Sequence, residues 1–244
     1  MDATTLVVGA GRGLGRGIAV AFAEADTSVV AVARTKSDLA DLAADAQVRT
    51  EVADATDPST AKRLLAAYEP QVCILVAGAA PVPRPLQEHT WETFSVNWHV
   101  DVRMTFEWLR EALLMPLPPG SRIIVVSSGA ALAGSPLSGG YAGSKAMQRF
   151  MTGYAQDEAS RAGLDLTFTA VLPRLTPLTQ LGRAAVVAYA KRYGQTEAEY
   201  VAAAGEPPLT PAGAGAALLE LSRTDPADLS SSYVLSWTGL HPLP

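Results

Sequence analysis

At 244 residues and 48% hydrophobic, the chain carries enough apolar material to fill a substantial core as one large domain or two small ones. Nineteen basic against twenty-four acidic residues give a net charge of −5 with no basic run, which argues against nucleic acid as a partner. One cysteine, Cys73, excludes an internal disulfide and fits a reducing, cytoplasmic compartment.

The amino terminus, MDATTLVVGAG, has an acid at position two, no basic segment and only a short apolar run, so neither a signal peptide nor a membrane span is expected. Arginine far outnumbers lysine and alanine is abundant, a composition that points to a GC-rich bacterial genome.

Short β-rich runs alternate with longer helical segments. Thr4 to Val8 reads as a strand, Leu14 to Ala25 as a helix, Ser28 to Ala33 as a strand and Ser37 to Ala46 as a helix. Val48 to Val52 is a weak third strand. Asp57 and Pro58 then supply an N-cap and a first-turn proline for a helix to about Tyr68. Val72 to Val76 is apolar throughout, as a parallel strand covered on both faces should be.

Three prolines keep the following loop out of helix, and Thr90 opens a long helical region that reaches Met115 with a break expected near Asn97. Trp91 and Trp98, on this region, read as core residues. Arg122 to Val126 is another buried strand, followed by a helix from Tyr141 to about Ala162, a sixth strand at Leu166 to Leu172 and a seventh at Tyr233 to Ser236. Repeated β-α-β order with short links predicts a single-domain, doubly wound parallel α/β sheet of about seven strands, with helices on both faces. The excursion from Pro173 to Pro208 is long enough to cover a site.

Between the first strand and first helix lies Gly9-Ala10-Gly11-Arg12-Gly13-Leu14-Gly15. Glycines there let phosphates approach the backbone N–H groups at a helix N-terminus. At the end of the second strand, where many dinucleotide folds place an acid for the ribose 2′-hydroxyl, this chain has Arg34. A guanidinium suits a 2′-phosphate, so Arg34 and Arg12 favour NADP(H) over NAD(H).

Tyr141 and Lys145 are four residues apart, hence on one helix face. An ammonium beside a phenol favours the phenolate and makes the hydroxyl able to exchange a proton near neutral pH. Such a pair is a weak signal alone. His89, His99 and His241 lack ligand spacing, so no metal is expected.

The glycine turn, Asn97, Ser128 and Tyr141-x-x-x-Lys145, in that order, resemble the short-chain dehydrogenase/reductase family over essentially the whole chain. Ser128 precedes Tyr141 by thirteen residues, the family's usual separation, which selects it over Ser127. The resemblance implies that Tyr141 is the general acid or base at the substrate oxygen and that Ser128 donates a hydrogen bond to that oxygen. Lys145 would bind the nicotinamide ribose, and Asn97 would support a proton-relaying water. It also implies cofactor contacts from Gly9, Gly11, Arg12, Gly13, Leu14, Gly15, Arg34, Asp54, Ala77, Gly78, Tyr141, Lys145 and Pro173, with Thr176 or Thr179 at the carboxamide.

Several positions depart from the family pattern. Val8 replaces a usual threonine, Val76-Ala77-Gly78-Ala79 replaces Asn-Asn-Ala-Gly, and Arg174 replaces a glycine. Residues 173–208 resemble the substrate lid, with Leu178, Leu181 and Val186 among Arg174, Arg183 and Arg192. Met147, Phe150, Met151 and Tyr154 form an apolar stripe away from the Tyr141 face. Together with Val100, Met104, Phe106, Trp108 and Leu109 it implies a homodimer or homotetramer interface, as in the family.

The leading expectation is an NADP(H)-dependent oxidoreductase interconverting a carbonyl and a secondary alcohol, acting on a small or medium, largely apolar substrate. The competing reading is a catalytically impaired relative serving as a nucleotide-binding sensor, scaffold or partner subunit.

Overall fold

The computed structural model describes residues 4–205 and 207–244. The reading of the first three residues as free of a signal segment lies outside them. Eight strands form one sheet: β1 (Thr4–Val8), β2 (Ser28–Ala33), β3 (Val48–Val52), β4 (Val72–Leu75), β5 (Ser121–Val126), β6 (Leu166–Pro173), β7 (Ser232–Ser236) and β8 (Gly239–Pro242). Their spatial order is β3-β2-β1-β4-β5-β6-β7-β8, all parallel except β8, which runs antiparallel to β7.

The eighth strand corrects the expectation of about seven. Gly-Leu-His-Pro is too short for alternation to show, and its strand geometry comes from folding back along β7 through the turn at Trp237 and Thr238.

The principal helices are α1 (Gly13–Glu24), α2 (Lys36–Asp45), α3 (Pro58–Tyr68), α4 (Trp91–Asn97), α5 (Arg103–Leu114), α6 (Ala130–Ala133), α7 (Tyr141–Ala162), α8 (Gln180–Tyr193), α9 (Glu197–Ala204) and α10 (Pro211–Arg223). Local signals set several ends. Asp57 caps α3 through the N–H of Ser59 at 2.8 Å, Thr90 and Thr93 form a capping box on α4, and α7 stops at Gly163 in the left-handed region. A π-helical turn, Trp98–Val102, joins α4 to α5 at the expected break.

Apolar residues on both sheet faces bury two cores. One, against α3, α5 and α7, includes Leu64, Trp108 and Phe168; the other, against α1, α2 and α10, includes Phe22, Leu39 and Leu218. Cys73 lies in the first core, where burial pushes its thiol pKa far up.

Two side-chain expectations are corrected here. Trp91 and Trp98 are exposed, at 70% and 50%, because α4 and the π turn bury Ser95, Asn97 and Asp101 and turn the two indoles outward; Trp91 stacks on Phe94 instead. Met104, Trp108 and Leu109 are buried in the chain's own core, since that face of α5 packs on the sheet. Phe106, Phe150 and Tyr154 remain outward, each more than half exposed.

Candidate active site

The sheet order makes β1 neighbour β2 on one side and β4 on the other, so the chain leaves β1 and β4 in opposite directions. A crevice opens beyond the carboxyl ends of these strands, as topology requires. A cavity of about 450 Å³ occupies it and runs from the β1–α1 turn to the start of α7.

The first end is built from backbone. Gly9 has φ 101°, and a Cβ there would lie 2.5 Å from the N of Ala77; one at Gly15 would lie 2.0 Å from the carbonyl oxygen of Gly9. Only glycines let the turn close this tightly while N–H groups at the start of α1 face the cavity. Val8, lacking the hydroxyl usual at this place, ties the turn to the β4 loop through its carbonyl, which accepts from the N–H groups of Val76 (2.9 Å) and Ala77 (2.8 Å). The cradle fits a dinucleotide pyrophosphate.

Gly9, Gly11, Arg12, Gly13, Leu14, Gly15, Arg34, Asp54, Ala77, Gly78, Pro173 and Thr176 all line the cavity. Two acids, Asp38 and Asp54, and two cations, Arg12 and Arg34, line the cavity. Asp54 accepts from the N–H and hydroxyl of Thr56, at 2.9 and 2.8 Å, which with the nearby Arg34 holds its pKa below the usual value despite partial desolvation. Arg12 donates to Gln180 at the start of α8. Asp38, on the first turn of α2, also lines the cavity, a residue missed in the sequence because it lies four positions beyond the expected acid site.

The second end is built from side chains. Ser128, Tyr141 and Lys145 meet there, brought together by the end of β5 and the first turns of α7. Ser128 Oγ accepts the N–H of Ala130 at 3.2 Å, leaving its own proton to donate. Ser127 instead donates to the Lys145 carbonyl at 2.7 Å, which fixes the start of α7 to β5. Lys145 Nζ lies 5.5 Å from the centre of the Tyr141 ring.

Lys145 is buried against three partners absent from the sequence reading. Its Nζ is 3.1 Å from Asp101 Oδ2 and donates to Gln148 Oε1 at 2.9 Å. Burial pulls the ammonium's pKa down, but the Asp101 carboxylate and the Tyr141 oxygen outweigh it, so the net shift is upward. The third partner is indirect: Thr105 accepts from Gln148 Nε2 at 2.6 Å. The available signals were spacings, Asn97 to Asp101 at four residues and Lys145 to Gln148 at three, which carry meaning only once the π turn faces α7.

Asn97 is fully buried behind the cavity wall. Its Nδ2 donates to the Ala79 carbonyl at 2.7 Å, bracing the β4 loop, while its Oδ1 is buried without a partner among the described residues. Both threonines after β6 are buried. Thr179 caps α8, accepting the Gly182 N–H and donating to the Thr176 carbonyl, so Thr176 is the one whose hydroxyl has no capping duty.

Above the cavity, α8 is latched to the loop that follows Ser128. The Tyr189 hydroxyl meets Ser135 Oγ and accepts the Leu137 N–H at 3.0 Å, and its ring stacks with Tyr193 and Tyr200. Leu181 and Ala184 of α8 line the cavity below. Among the described residues no group of three or more His, Cys, Asp and Glu is arranged to hold a metal ion, and no helix is long and apolar enough to cross a membrane.

A sheet of this order, with a glycine-built phosphate turn and a Ser-Tyr-Lys cluster across one cavity, defines a dinucleotide-binding oxidoreductase architecture. The family model for short chain dehydrogenases matches residues 3–188, and the chain belongs to that family, whose members are NAD(P)-dependent oxidoreductases.

Solved structures similar to the chain share the fold at low identity. A short chain dehydrogenase from Mycobacterium avium is 20% identical with a TM-score of 0.77, over 99% of this chain and 85% of that one. Levodione reductase is 20% identical with a TM-score of 0.81, over 96% and 95%. A variant of actinorhodin polyketide ketoreductase with NADPH is 19% identical with a TM-score of 0.80, over 95% and 94%. No curated protein matches the chain.

Proposed function

We propose that the protein is an NADP(H)-dependent reductase that interconverts a carbonyl and a secondary alcohol. The observation that carries this reading is the meeting of Ser128, Tyr141 and Lys145 in the same cavity as the glycine turn. A bound nicotinamide dinucleotide would supply or accept the hydride.

The protein's own part follows from charge. Negative charge develops on the carbonyl oxygen as the carbonyl is reduced, and the Ser128 hydroxyl, free to donate, stabilises it. Tyr141 delivers the proton that completes the alcohol, and the buried Lys145 ammonium favours the phenolate this leaves. In oxidation the same groups act in reverse. Asn97 acts by bracing the Ala79 backbone, and its unpartnered Oδ1 suits a bridging water to Lys145.

The cofactor would be held by the Gly9–Gly15 turn, Asp54, the Ala77–Gly78 backbone, Pro173 and Thr176. Arg34 and Arg12, both lining the cavity, support NADP(H), and the ketoreductase neighbour is described with NADPH. Asp38 favours the second reading, NAD(H), since a carboxylate accepts from a ribose 2′-hydroxyl and repels a 2′-phosphate.

We read residues 1–244 as a single catalytic domain, with 173–208 as a lid over a small or medium, largely apolar substrate. The outward Phe106, Phe150 and Tyr154 suit a homodimer or homotetramer contact, and the lone Cys73 suits the cytoplasm.

Titration with NADPH and NADH by fluorescence, followed by a panel of carbonyl substrates, tests the proposal. Tighter NADH binding would defeat the role given to Arg12 and Arg34. Nucleotide binding without turnover on a broad panel would favour an impaired relative that serves as a sensor or scaffold.

A further inference from the structure

One buried acid has no place in the chemistry above. Asp101, in the π-helical turn, is 0% exposed, and both of its carboxylate oxygens are engaged. Oδ2 faces Lys145 Nζ at 3.1 Å, Oδ1 accepts the Ala79 N–H at 2.8 Å, and Asn97 Nδ2 approaches both at 3.4 and 3.5 Å. The Asp101 carbonyl accepts from Thr105 Oγ1 at 2.9 Å and from Gln148 Nε2 at 3.2 Å, and Gln148 returns through Oε1 to Lys145. The ring Asp101, Lys145, Gln148 is therefore closed.

Space for this carboxylate comes from the β4 loop. A Cβ on Gly78 would lie 3.0 Å from Asp101 Oδ2, so a side chain at 78 and an acid at 101 compete for one volume. Where the family resemblance puts asparagines on the loop, this chain has Val76 to Ala79 with no polar side chain, and the anchoring group arrives instead from the helix opposite.

An ammonium has three donors. Asp101 and Gln148 take two of them, leaving one N–H for the phenol or the nucleotide. Among the described residues, the charged or titratable groups facing Lys145 are Asp101 from the π turn and Tyr141 from its own helix. Gln148, Asn97 and Thr105 complete the surroundings with neutral groups.

We propose that Asp101 is a positioning residue that holds Lys145 charged, restricts it to one free N–H, and clamps the Ala77–Ala79 loop from the helix side. The proposal rests on the reductase reading for its catalytic meaning, but its charge content stands on the ion pair alone. Without the carboxylate, Lys145 is a buried ammonium with no counter-charge, and burial then favours its neutral form.

Asp101→Asn keeps the size and an acceptor for the Ala79 N–H while removing the charge. The chain has only four lysines, Lys36, Lys62, Lys145 and Lys191, so NMR of protein labelled with carbon-13 at lysine Cε resolves each titration, and Lys145→Met assigns the signal. In the unmutated protein Lys145 should stay charged beyond the ordinary lysine value of about 10.4. In Asp101→Asn its midpoint should fall by at least about one pH unit, a tenfold change in proton affinity. An unchanged midpoint overturns the proposal.

This titration decides the matter even if no carbonyl is turned over, an outcome that would defeat the reductase reading alone. With a substrate in hand, the alkaline limb of the kcat profile should move to lower pH in the variant. A loss of kcat equal at every pH would mean a merely structural residue and overturn the positioning role. If Asp101→Asn does not fold, the double variant Asp101→Asn, Lys145→Met should fold again, because the uncompensated charge is gone; a double variant that stays unfolded overturns the proposal.

Discussion

The two ends of the central cavity are made in different ways. Around Gly9 and Gly15 the surface is backbone, shaped by residues that lack side chains and are close neighbours in sequence. Around Tyr141 and Lys145 it is a network of side chains drawn from β5, α7, the π turn and α5, joined over separations of more than forty residues. A turn of the first kind is written in glycine spacing and tolerates little change. A network of the second kind exists only after folding, and each member can be tested by its own chemistry.

Substitutions sharpen that contrast. Ser128→Ala removes the donor proposed to face the developing oxyanion and is expected to lower kcat by about 10²–10³-fold, with nucleotide affinity unchanged in a fluorescence titration. Gly9→Ala acts on the other end. It places a Cβ 2.5 Å from the Ala77 N at φ 101°, and strain of about 1–3 kcal/mol is expected to weaken nucleotide binding about 10-fold or more and to lower the melting temperature. If Gly9→Ala bound nucleotide normally, the backbone-built description of that end would fail.

Smaller effects are expected at the rim. Arg34→Ala should weaken NADPH about 10-fold, the loss of one charge-assisted contact, and leave NADH nearly unaffected. Equal losses for both nucleotides would shift weight to Asp38. Tyr189→Phe unlatches α8 from Ser135 and Leu137 and should raise the substrate KM a few-fold, about 1 kcal/mol, with little change in nucleotide affinity. A KM unchanged in this variant would show that the latch does not bear on substrate.

The same contrast explains what could be read before the structure. Strands β4 and β5 are apolar on both faces because helices cover both sides, and that pattern is local. Asp57-Pro58 and Thr90 write helix starts into neighbouring residues. The glycine turn and the Tyr141–Lys145 spacing are equally local, so the turn at one end of the cavity and the pair that lines the other were legible. Asp101 was not, because its meaning depends on a π turn that aims it across the fold at α7.

Burial followed the same rule. Trp91 and Trp98 look like core residues by type, yet they lie on the outward face of α4 and the π turn, whose inward face is polar. Trp108, expected at a subunit contact, packs inward and donates to the Ala55 carbonyl at 3.1 Å. Side-chain type sets what can be buried, and only the way α4, the π turn and α5 pack decides which residues are.

Comparing Tyr141→Phe with the unmutated protein tests the proposed chemistry most directly, by following NADPH absorbance with a substrate found in the carbonyl panel while titrating nucleotide separately. Removing one hydroxyl should reduce turnover by about 10²–10⁴-fold and leave NADPH affinity intact. Turnover that persists near the unmutated rate would remove Tyr141 from proton transfer, and with it the reading of the cluster at the start of α7 as the centre of the reaction.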